Sequence, residues 1–370
     1  MNYINGDTKI RLSLLPLSII LSLCGISLSH ATNIIADKTA AKNQQADIKI
    51  KPNKLSLALC RSVMGCGETT IVNIQSPDKN GLSHNKYSKF DVPHVKDIVI
   101  LNNEFSKKIG GNPNLVNSAA KIILNEVRSS QASRLAGKIQ LSGRDAHVII
   151  ANPSGIDCHG CSFTAMSHLT LTTGKPYFNR HNKLQGFKIL DGDININNGI
   201  AHQSGLNHLR RGEKSAYLNL FSNTLKVEGN ITSDNIFIIA GKNKIKLASA
   251  GKKMGVTSLV SYLSSPNYFK SVDVSDIGGI YANKIRIIAE GNIKNSNEIK
   301  SSGLIQMISR GDIKNKSNGV MTGKTVDLYL INNKMEVLPY SNNIKKNISD
   351  YIKNGDGSVS FSGKIKQSEI

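Results

Sequence analysis

The chain has 370 residues, enough for two average domains or for one elongated all-β body. Aromatic residues make up 5% of the chain and tryptophan is absent, which argues against a large globular core built on aromatic side chains. The formal net charge is +21, but no nucleic-acid-binding motif accompanies it and the lysines are spread along the chain. We therefore expect a solvated basic surface that meets anionic cell surfaces, with no nucleic-acid partner.

Residues 1–31 have the pattern of a Sec-type signal peptide. Lys9 and Arg11 precede an apolar run over residues 12–28, and residues 29–31 (Ser-His-Ala) fit a small-x-small cleavage site. An uncleaved membrane anchor is the alternative, although the apolar run is marginal in length for spanning a bilayer. We expect the Sec machinery to export the chain.

Four cysteines follow the signal peptide in two close pairs, Cys60 with Cys66 and Cys158 with Cys161. An even set in an oxidising compartment favours disulfides, and local pairing is one of three possible connectivities. Local pairing is favoured because small loops do not prevent a chain from threading through a pore. A redox-active pair or a zinc site is the alternative for the Cys-His-Gly-Cys sequence of residues 158–161.

Residues 32–65 are polar and weakly periodic, which predicts a poorly ordered leader or a first cap of the body. Short β-branched runs separated by turn clusters begin after this segment, for example at residues 71–74 and 98–101. The run over residues 119–127 has a helical composition, whereas its neighbours favour strands.

Two turns begin with an Asn-Pro pair. Asparagine side chains bond nearby backbone, proline presets φ, and glycine tolerates positive φ, so both sequences predict tight turns. The second turn lies between β-rich runs at residues 147–151 and 168–173. The candidate turn residues are Asn112, Pro113, Asn114 and Leu115 in the first turn, and Asn152, Pro153, Ser154, Gly155 and Ile156 in the second.

The second half of the chain repeats itself at an interval of about twenty residues. The segments Ile280–Asn295 and Leu304–Asn315 correspond, with Gly291 matching Gly311. Short alternating strands with Gly and Asn turns at this period predict a right-handed parallel β-helix with three strands per rung, an N-terminal cap and short extra-helical strands. A β-sandwich is the weaker alternative, because two-residue hairpin loops are scarce.

An enzyme on a β-helix is a third class to consider, since such folds can place acidic residues for calcium on adjacent rungs. The acidic residues in question, Asp191, Asp193, Asp273 and Asp276, are few and scattered. We predict no catalytic residues, no metal site and no cofactor.

Six segments occur in the order and at the spacing of one known family: residues 71–74, 81–87, 111–115, 123–127, 148–156 and 169–174. Together they resemble the N-terminal secretion domain of two-partner-secretion exoproteins, the family of filamentous haemagglutinins, haemolysins and contact-dependent-inhibition toxins. Two positions depart from the commoner family pattern. Ser154 stands where asparagine is frequent, and Thr164-Ala165-Met166 stands where Ile-Asn-Thr is usual.

The resemblance implies a domain organisation and a partner. Residues 66–300 would form the secretion domain, and residues 301–370 would form further rungs with a frayed or truncated C-terminus. A cognate outer-membrane barrel transporter with periplasmic recognition domains would bind the chain, which would fold outside the cell. The resemblance implies a secreted or surface-located protein of a Gram-negative bacterium that contacts host or neighbouring cells. The role would be adhesin-like or haemolysin-related, with a cytolysin or contact-dependent toxin as the alternative.

Overall fold

The computed structural model describes residues 33–52, 67–106, 110–199, 205–209, 212–248, 254–260 and 270–331, with short strands at 337–340, 359–361 and 364–367. The predicted signal peptide and the Cys60–Cys66 pair lie outside these residues. The described parts are strands and turns, apart from one turn of 3₁₀ helix at Lys42–Gln44. None of the described helical structure is long and apolar enough to span a membrane.

The predicted parallel β-helix is confirmed. Its strands form three parallel stacks, and the chain visits stack 1, stack 2 and stack 3 in turn on each rung. Stack 1 contains β3 (Glu68–Asn73), β5 (Ile98–Asn103), β8 (Lys138–Gly143), β11 (Cys161–Thr164), β16 (Leu206–His208), β19 (Asn230–Thr232), the first halves of β24 (Gly279–Ala289) and β26 (Glu298–Ser309), β28 (Val320–Gly323) and β32 (Lys364–Gln367).

Stack 2 consists of the second strand of each rung, and its members pair in parallel from one rung to the next. It contains β4 (Leu82–Asp91), β6 (Ile122–Val127), β9 (His147–Ala151), β12 (His168–Thr172), β17 (Tyr217–Ser222), β20 (Asn235–Ala240), the second halves of β24 and β26, β29 (Thr325–Ile331), and β30 (Val337–Tyr340), which pairs antiparallel with β29.

Stack 3 completes the rungs from β5 onward, and the first rung reaches it only through a bridge from Val92 to Leu135. It contains β7 (Ser133–Leu135), β10 (Ile156–His159), β15 (Asp193–Asn197), β18 (Thr224–Val227), β23 (Lys270–Val274), β25 (Asn292–Asn295), β27 (Ile313–Asn315) and β31 (Val359–Phe361). The twenty-residue repeat corresponds to one rung, because Ile293 pairs with Ile313 and Asn295 with Asn315. The rungs continue past residue 300 with the same parallel pairing.

The interior is filled by aliphatic columns, one residue per rung. Side chains alternate between the two faces of a strand, so every second residue points inward. From β6 onward, one inward column of stack 2 is buried and consists of Ile123, Val148, Leu169, Leu218, Ile236, Ile285, Ile305 and Val326. Neighbouring members are separated by one strand spacing, about 4.8 Å.

An antiparallel four-stranded sheet covers part of the outer face of stack 2. It consists of β13 (Lys175–Phe178), β14 (Leu184–Lys188), β21 (Asn243–Lys246) and β22 (Gly255–Ser258). Phe187 of this sheet is buried in a second apolar cluster with Ile149, Phe221 and Ile239 of stack 2. The apolar run Val148–Ala151 is uninterrupted because both faces of its strand are buried here.

Of the two alternatives for residues 32–65, a poorly ordered leader or a first cap, residues 33–52 form the cap. Strand β1 (Asn33–Ala36) pairs antiparallel with β4, and β2 (Asp47–Pro52) pairs antiparallel with β3. Ile34 contributes to the main core, and Arg128 Nη1 lies 2.9 Å from the Asp37 carboxylate. The weak periodicity follows from the short cap strands, which bury few side chains.

The run over residues 119–127 forms a strand, β6, rather than a helix. Ile123 and Val127 point into the main core, while Leu124 is buried in the outer cluster beneath the extra-helical sheet. Burial on both faces favours the extended conformation over the helical propensity of its alanine, leucine and glutamate residues.

The outer cluster gives a stability prediction. Phe187→Ala empties a fully buried position and is expected to lower the free energy of unfolding by about 3–5 kcal/mol in urea denaturation. Leu190→Ala is the matched control, because Leu190 is close in sequence and 45% exposed. Equal destabilisation by both substitutions would contradict the packing of this sheet on stack 2.

Candidate functional site

The first Asn-Pro turn lies at corner 1, where the chain passes from stack 1 to stack 2. Asn112 Nδ2 donates to the Asn102 carbonyl at 2.7 Å and to the Ile74 carbonyl at 2.9 Å. Its Oδ1 accepts the Asn114 N–H at 2.9 Å. Asn112 is 3% exposed. One buried amide therefore joins two consecutive rungs at this corner, because Ile74 follows β3 and Asn102 belongs to β5.

The second Asn-Pro turn lies at corner 2, where the chain passes from stack 2 to stack 3. Asn152 Nδ2 donates to the Gln131 carbonyl and to Ser133 Oγ, both at 3.0 Å. Its Oδ1 accepts the Ser154 N–H at 3.0 Å. Asn152 is fully buried. Gln131 and Ser133 lie at the same corner of the preceding rung, so this side chain also joins consecutive rungs.

The third residue of each turn extends the same pattern. Asn114 Nδ2 donates to the Asn73 carbonyl at 3.0 Å, and Ser154 Oγ donates to the Ser129 carbonyl at 2.8 Å. The serine that departs from the commoner family pattern thus makes the bond equivalent to that of the asparagine in the first turn. The departure is conservative in hydrogen bonding.

The remaining turn residues close the backbone. The Leu115 N–H donates to the Asn112 carbonyl at 3.2 Å, and the Gly155 N–H donates to the Asn152 carbonyl at 3.0 Å. Pro113 and Pro153 occupy the second turn position, where a fixed φ lowers the entropic cost. Gly155 has φ of 120°, which only glycine adopts readily. Leu115 and Ile156 are buried in the main core.

Corner 3, between stacks 3 and 1, contains the Cys-x-x-Cys sequence. A disulfide joins Cys158 in β10 to Cys161 at the start of β11, with a Cα–Cα distance of 5.4 Å. Both cysteines are fully buried, and Gly160 between them has φ of 80°. The two sulfur atoms are bonded to each other, so neither is a thiolate ligand for zinc in this structure. The two Asn-Pro turns and the disulfide lie at three different corners.

A buried polar ladder near corner 1 was not anticipated from the sequence. Asn102 Nδ2 donates to Asn73 Oδ1 at 2.9 Å, and Asn73 Nδ2 donates to the Asp47 carboxylate at 3.1 Å. The ladder links the cap strand β2 to the first two rungs. The sequence feature that could have predicted this ladder is the recurrence of asparagine at the ends of β3 and β5.

His84 connects the cap, stack 2 and the extra-helical sheet. Its Nε2 lies 2.6 Å from Glu126 Oε2, its Nδ1 lies 3.1 Å from Gln44 Nε2, and its ring stacks on Phe178 at 5.3 Å. Burial raises the pKa of Glu126, but the hydrogen bond and charge of His84 outweigh that effect and hold the pKa below its usual value. Glu126 is therefore ionised at neutral pH.

The acidic residues considered for calcium do not form a cluster. Asp273 Oδ1 lies 3.2 Å from Lys294 Nζ, and Asp193 Oδ1 accepts a 2.6 Å hydrogen bond from Thr224. Among the residues that the structure describes, no group of three or more His, Cys, Asp or Glu side chains is arranged to hold a metal ion. The predicted site residues are structural elements of three corners and are not brought together in one cleft.

Comparisons with known proteins agree with this architecture. A family model described as "TPS secretion domain" matches residues 33–315, and so includes the cap. Toxin CdiA of Yersinia pestis is 32% identical over 333 residues, covering 86% of this chain and 9% of the relative. 16S rRNA endonuclease CdiA of Enterobacter cloacae is 35% identical over 228 residues, covering 59% of this chain and 6% of the relative. This chain therefore spans less than a tenth of these relatives' length.

A solved structure shares the fold. The crystal structure of the filamentous hemagglutinin secretion domain superposes with a TM-score of 0.63 at 24% sequence identity, over 91% of this chain and 97% of that chain. This likeness supports the β-helix architecture.

The equivalence of Ser154 and Asn114 is testable. Ser154→Ala removes the bond to the Ser129 carbonyl and is expected to lower the free energy of unfolding by about 1 kcal/mol in urea denaturation. Ser154→Asn, which restores an amide donor, is expected to lose less than half of that. If both variants lose the same amount, the hydroxyl is not equivalent to the Asn114 amide.

The other family departure gives a second test. Ala165 has φ of 63°, a left-handed conformation that costs an ordinary L-residue about 1–2 kcal/mol and that asparagine tolerates better. Ala165→Asn is expected to raise the free energy of unfolding by about 0.5–1 kcal/mol, and Ala165→Val to lower it. Chemical denaturation of both variants checks the order, and a less stable asparagine variant would contradict it.

Proposed function

The chain belongs to the TPS secretion domain family, and on that premise we propose that a dedicated outer-membrane barrel transporter recognises it and passes it to the cell surface. The Sec machinery would deliver the unfolded chain to the periplasm, and residues 1–31 would serve as its signal. The chain would then thread through the barrel and fold outside as a β-helix.

The observation that supports this proposal is the locality of the bonds at the three corners. The side chains of Asn112 and Asn152 bond to their own rung and to the preceding one, and the disulfide spans a separation of three residues. These side-chain bonds and the disulfide therefore form without any later segment of the chain. The first rungs can close while the rest of the chain is still in the pore.

Such a fold suits a compartment without ATP. Each added rung buries another set of aliphatic side chains against the rung before it, which is favourable by about 25 cal/mol per Å² of apolar surface. Folding on the outer side would prevent the chain from sliding back. Vectorial folding would thus supply the driving force for export.

Recognition before folding is proposed to use strand addition. The periplasmic modules of the transporter would pair with strand-forming segments of the unfolded chain through main-chain hydrogen bonds. Residues 33–36 and 47–52 precede all the rungs in the chain and form strands β1 and β2 of the cap. These two segments are candidate docking strands.

A contact-dependent toxin is the first candidate for the whole exoprotein. Two relatives at 32% and 35% identity bear toxin or nuclease names and are more than ten times longer than the matched region. An adhesin- or haemagglutinin-like product is the second candidate, supported by the likeness to the filamentous hemagglutinin secretion domain.

Growth competition against cells lacking the gene distinguishes the toxin from the adhesin, because only a toxin gives the producer an advantage that depends on contact. Erythrocyte lysis by the purified product tests a cytolysin.

The two corner asparagines give the central test of the secretion role. Asn112→Ala and Asn152→Ala each remove two donated hydrogen bonds from buried carbonyl or hydroxyl groups, so the early rungs are expected to close poorly. The secreted fraction, measured by immunoblotting of medium and periplasm with the cognate transporter present, is expected to fall about tenfold or more.

Exposed asparagines outside the two turns serve as controls. Asn117 and Asn198 are exposed, and Asn117→Ala and Asn198→Ala are expected to leave the secreted fraction unchanged. Normal secretion of both corner variants would remove the role assigned to the turns. A fall that is equally large in the control variants would do the same.

A further inference from the structure

A column of stacked rings lies on the outer face of stack 2, beside the part that the extra-helical sheet covers. His147, His168 and Tyr217 occupy equivalent positions on three successive rungs. The His147 and His168 ring centres are 5.9 Å apart, and His168 stacks on Tyr217 at 4.8 Å with planes 9° apart. Tyr217 is 43% exposed. The column is an outward aromatic surface, because its residues lie outside the main core.

The two imidazoles are uncharged at neutral pH. Burial, reinforced by the neighbouring His168, lowers the pKa of His147 to about 4. Burial likewise lowers the pKa of His168. The positive charge of this surface therefore comes from lysine and arginine, and the rings form a neutral platform.

Two cavities adjoin the column, and Tyr217 lines both of them. The larger has a volume of about 640 Å³ and includes Lys121, Asp145 and Lys214 in its walls. The smaller has a volume of about 150 Å³, with Lys284 in its wall. The larger volume falls within the range of small-molecule sites.

The ring column ends at Tyr217. The next two residues in register are Asn235 and Lys284, so no ring follows on the far side of the tyrosine. Phe237 and Arg286 flank this position, with the guanidinium 5.5 Å from the phenyl centre. The space over the Asn235 side chain, on the far side of Tyr217, is thus bordered by Tyr217, Asn235 and the cations Lys284 and Arg286.

The charges in the walls do not cancel. Lys214 Nζ lies 3.1 Å from Asp145 Oδ2. Burial raises the pKa of Asp145, but hydrogen bonds from Ser167 and the charge of Lys214 hold it below its usual value, so the carboxylate is ionised and paired. Among the described residues, neither Lys121 nor Lys284 forms an ion pair. The groove formed by both cavities therefore has a net positive charge.

We propose that this groove binds an acidic oligosaccharide, with one sugar ring on the free side of Tyr217 and its carboxylate or sulfate near Lys284 and Arg286. The exposed face of Tyr217 suits a sugar ring, because a sugar has an apolar face that packs on an aromatic ring and a polar rim. Asn219 and Asn235 supply amide groups for sugar hydroxyls.

A single-stranded nucleic acid fits less well. Binding of that kind uses successive bases stacked on separate aromatic side chains. The rings here are stacked on one another at 4.8 Å and 5.9 Å, which leaves no space for a base between them. One open platform accommodates one ring of a ligand, while the remaining contacts are polar.

Titration calorimetry of the purified full chain at low ionic strength tests the proposal. The probes are tetragalacturonate, which is acidic, cellotetraose, which is neutral, and oligothymidylate. Tetragalacturonate is expected to bind more tightly than cellotetraose. Tyr217→Ala and Lys284→Ala are each expected to weaken tetragalacturonate binding by about three- to tenfold. Tyr329→Ala and Lys300→Ala, which line neither cavity, are expected to leave it unchanged.

Three outcomes would overturn the assignment. These are equal affinity for the acidic and neutral sugars, tetragalacturonate binding that neither groove variant weakens, and tighter binding of oligothymidylate that Tyr217→Ala removes. The last outcome would assign the groove to nucleic acid. Lys284 is solvent-exposed, so its variant keeps the test interpretable if Tyr217→Ala is unstable.

Discussion

The structure depends on turning three corners per rung without leaving buried backbone groups unpaired. On the flat faces, strand pairing satisfies the backbone N–H and C=O groups. A corner interrupts this hydrogen-bond ladder and leaves carbonyls next to the core without strand partners. In the early rungs each corner has its own solution: a buried asparagine at corner 1, another at corner 2 and a disulfide at corner 3. All three use groups of the same rung or the preceding one, which allows the helix to begin before most of the chain is available.

The outer face of stack 2 adds a second level of organisation. Two hairpins inserted at corner 2 form one extra-helical sheet, although they are separated by two rungs. Their apolar side chains cover one half of the face, and His84 joins that sheet to Glu126 of stack 2 and to Gln44 of the cap. The uncovered half retains the ring column of His168 and Tyr217. One face therefore serves both packing and, in our proposal, ligand binding.

The sequence was informative where its signals are local. The repeat containing Gly291 and Gly311 predicted the rung length, and the Asn-Pro pairs predicted tight turns at Asn112 and Asn152. Features assembled from distant residues were missed. Asn73 and Asn102 meet only because β3 and β5 are stacked in register, and the His147 column forms from three rungs of unequal length. The cap was underestimated because β1 and β2 acquire their partners from β4 and β3, well downstream.

In this mode of folding, the corner-bonded early rungs form first and later rungs add to them. Pulsed hydrogen exchange during refolding of the oxidised full chain measures this order directly. Amide protection in β6, β9 and β12 is expected to precede protection in β24, β26 and β29. Simultaneous protection of both sets, or earlier protection of the C-terminal rungs, would contradict this folding order.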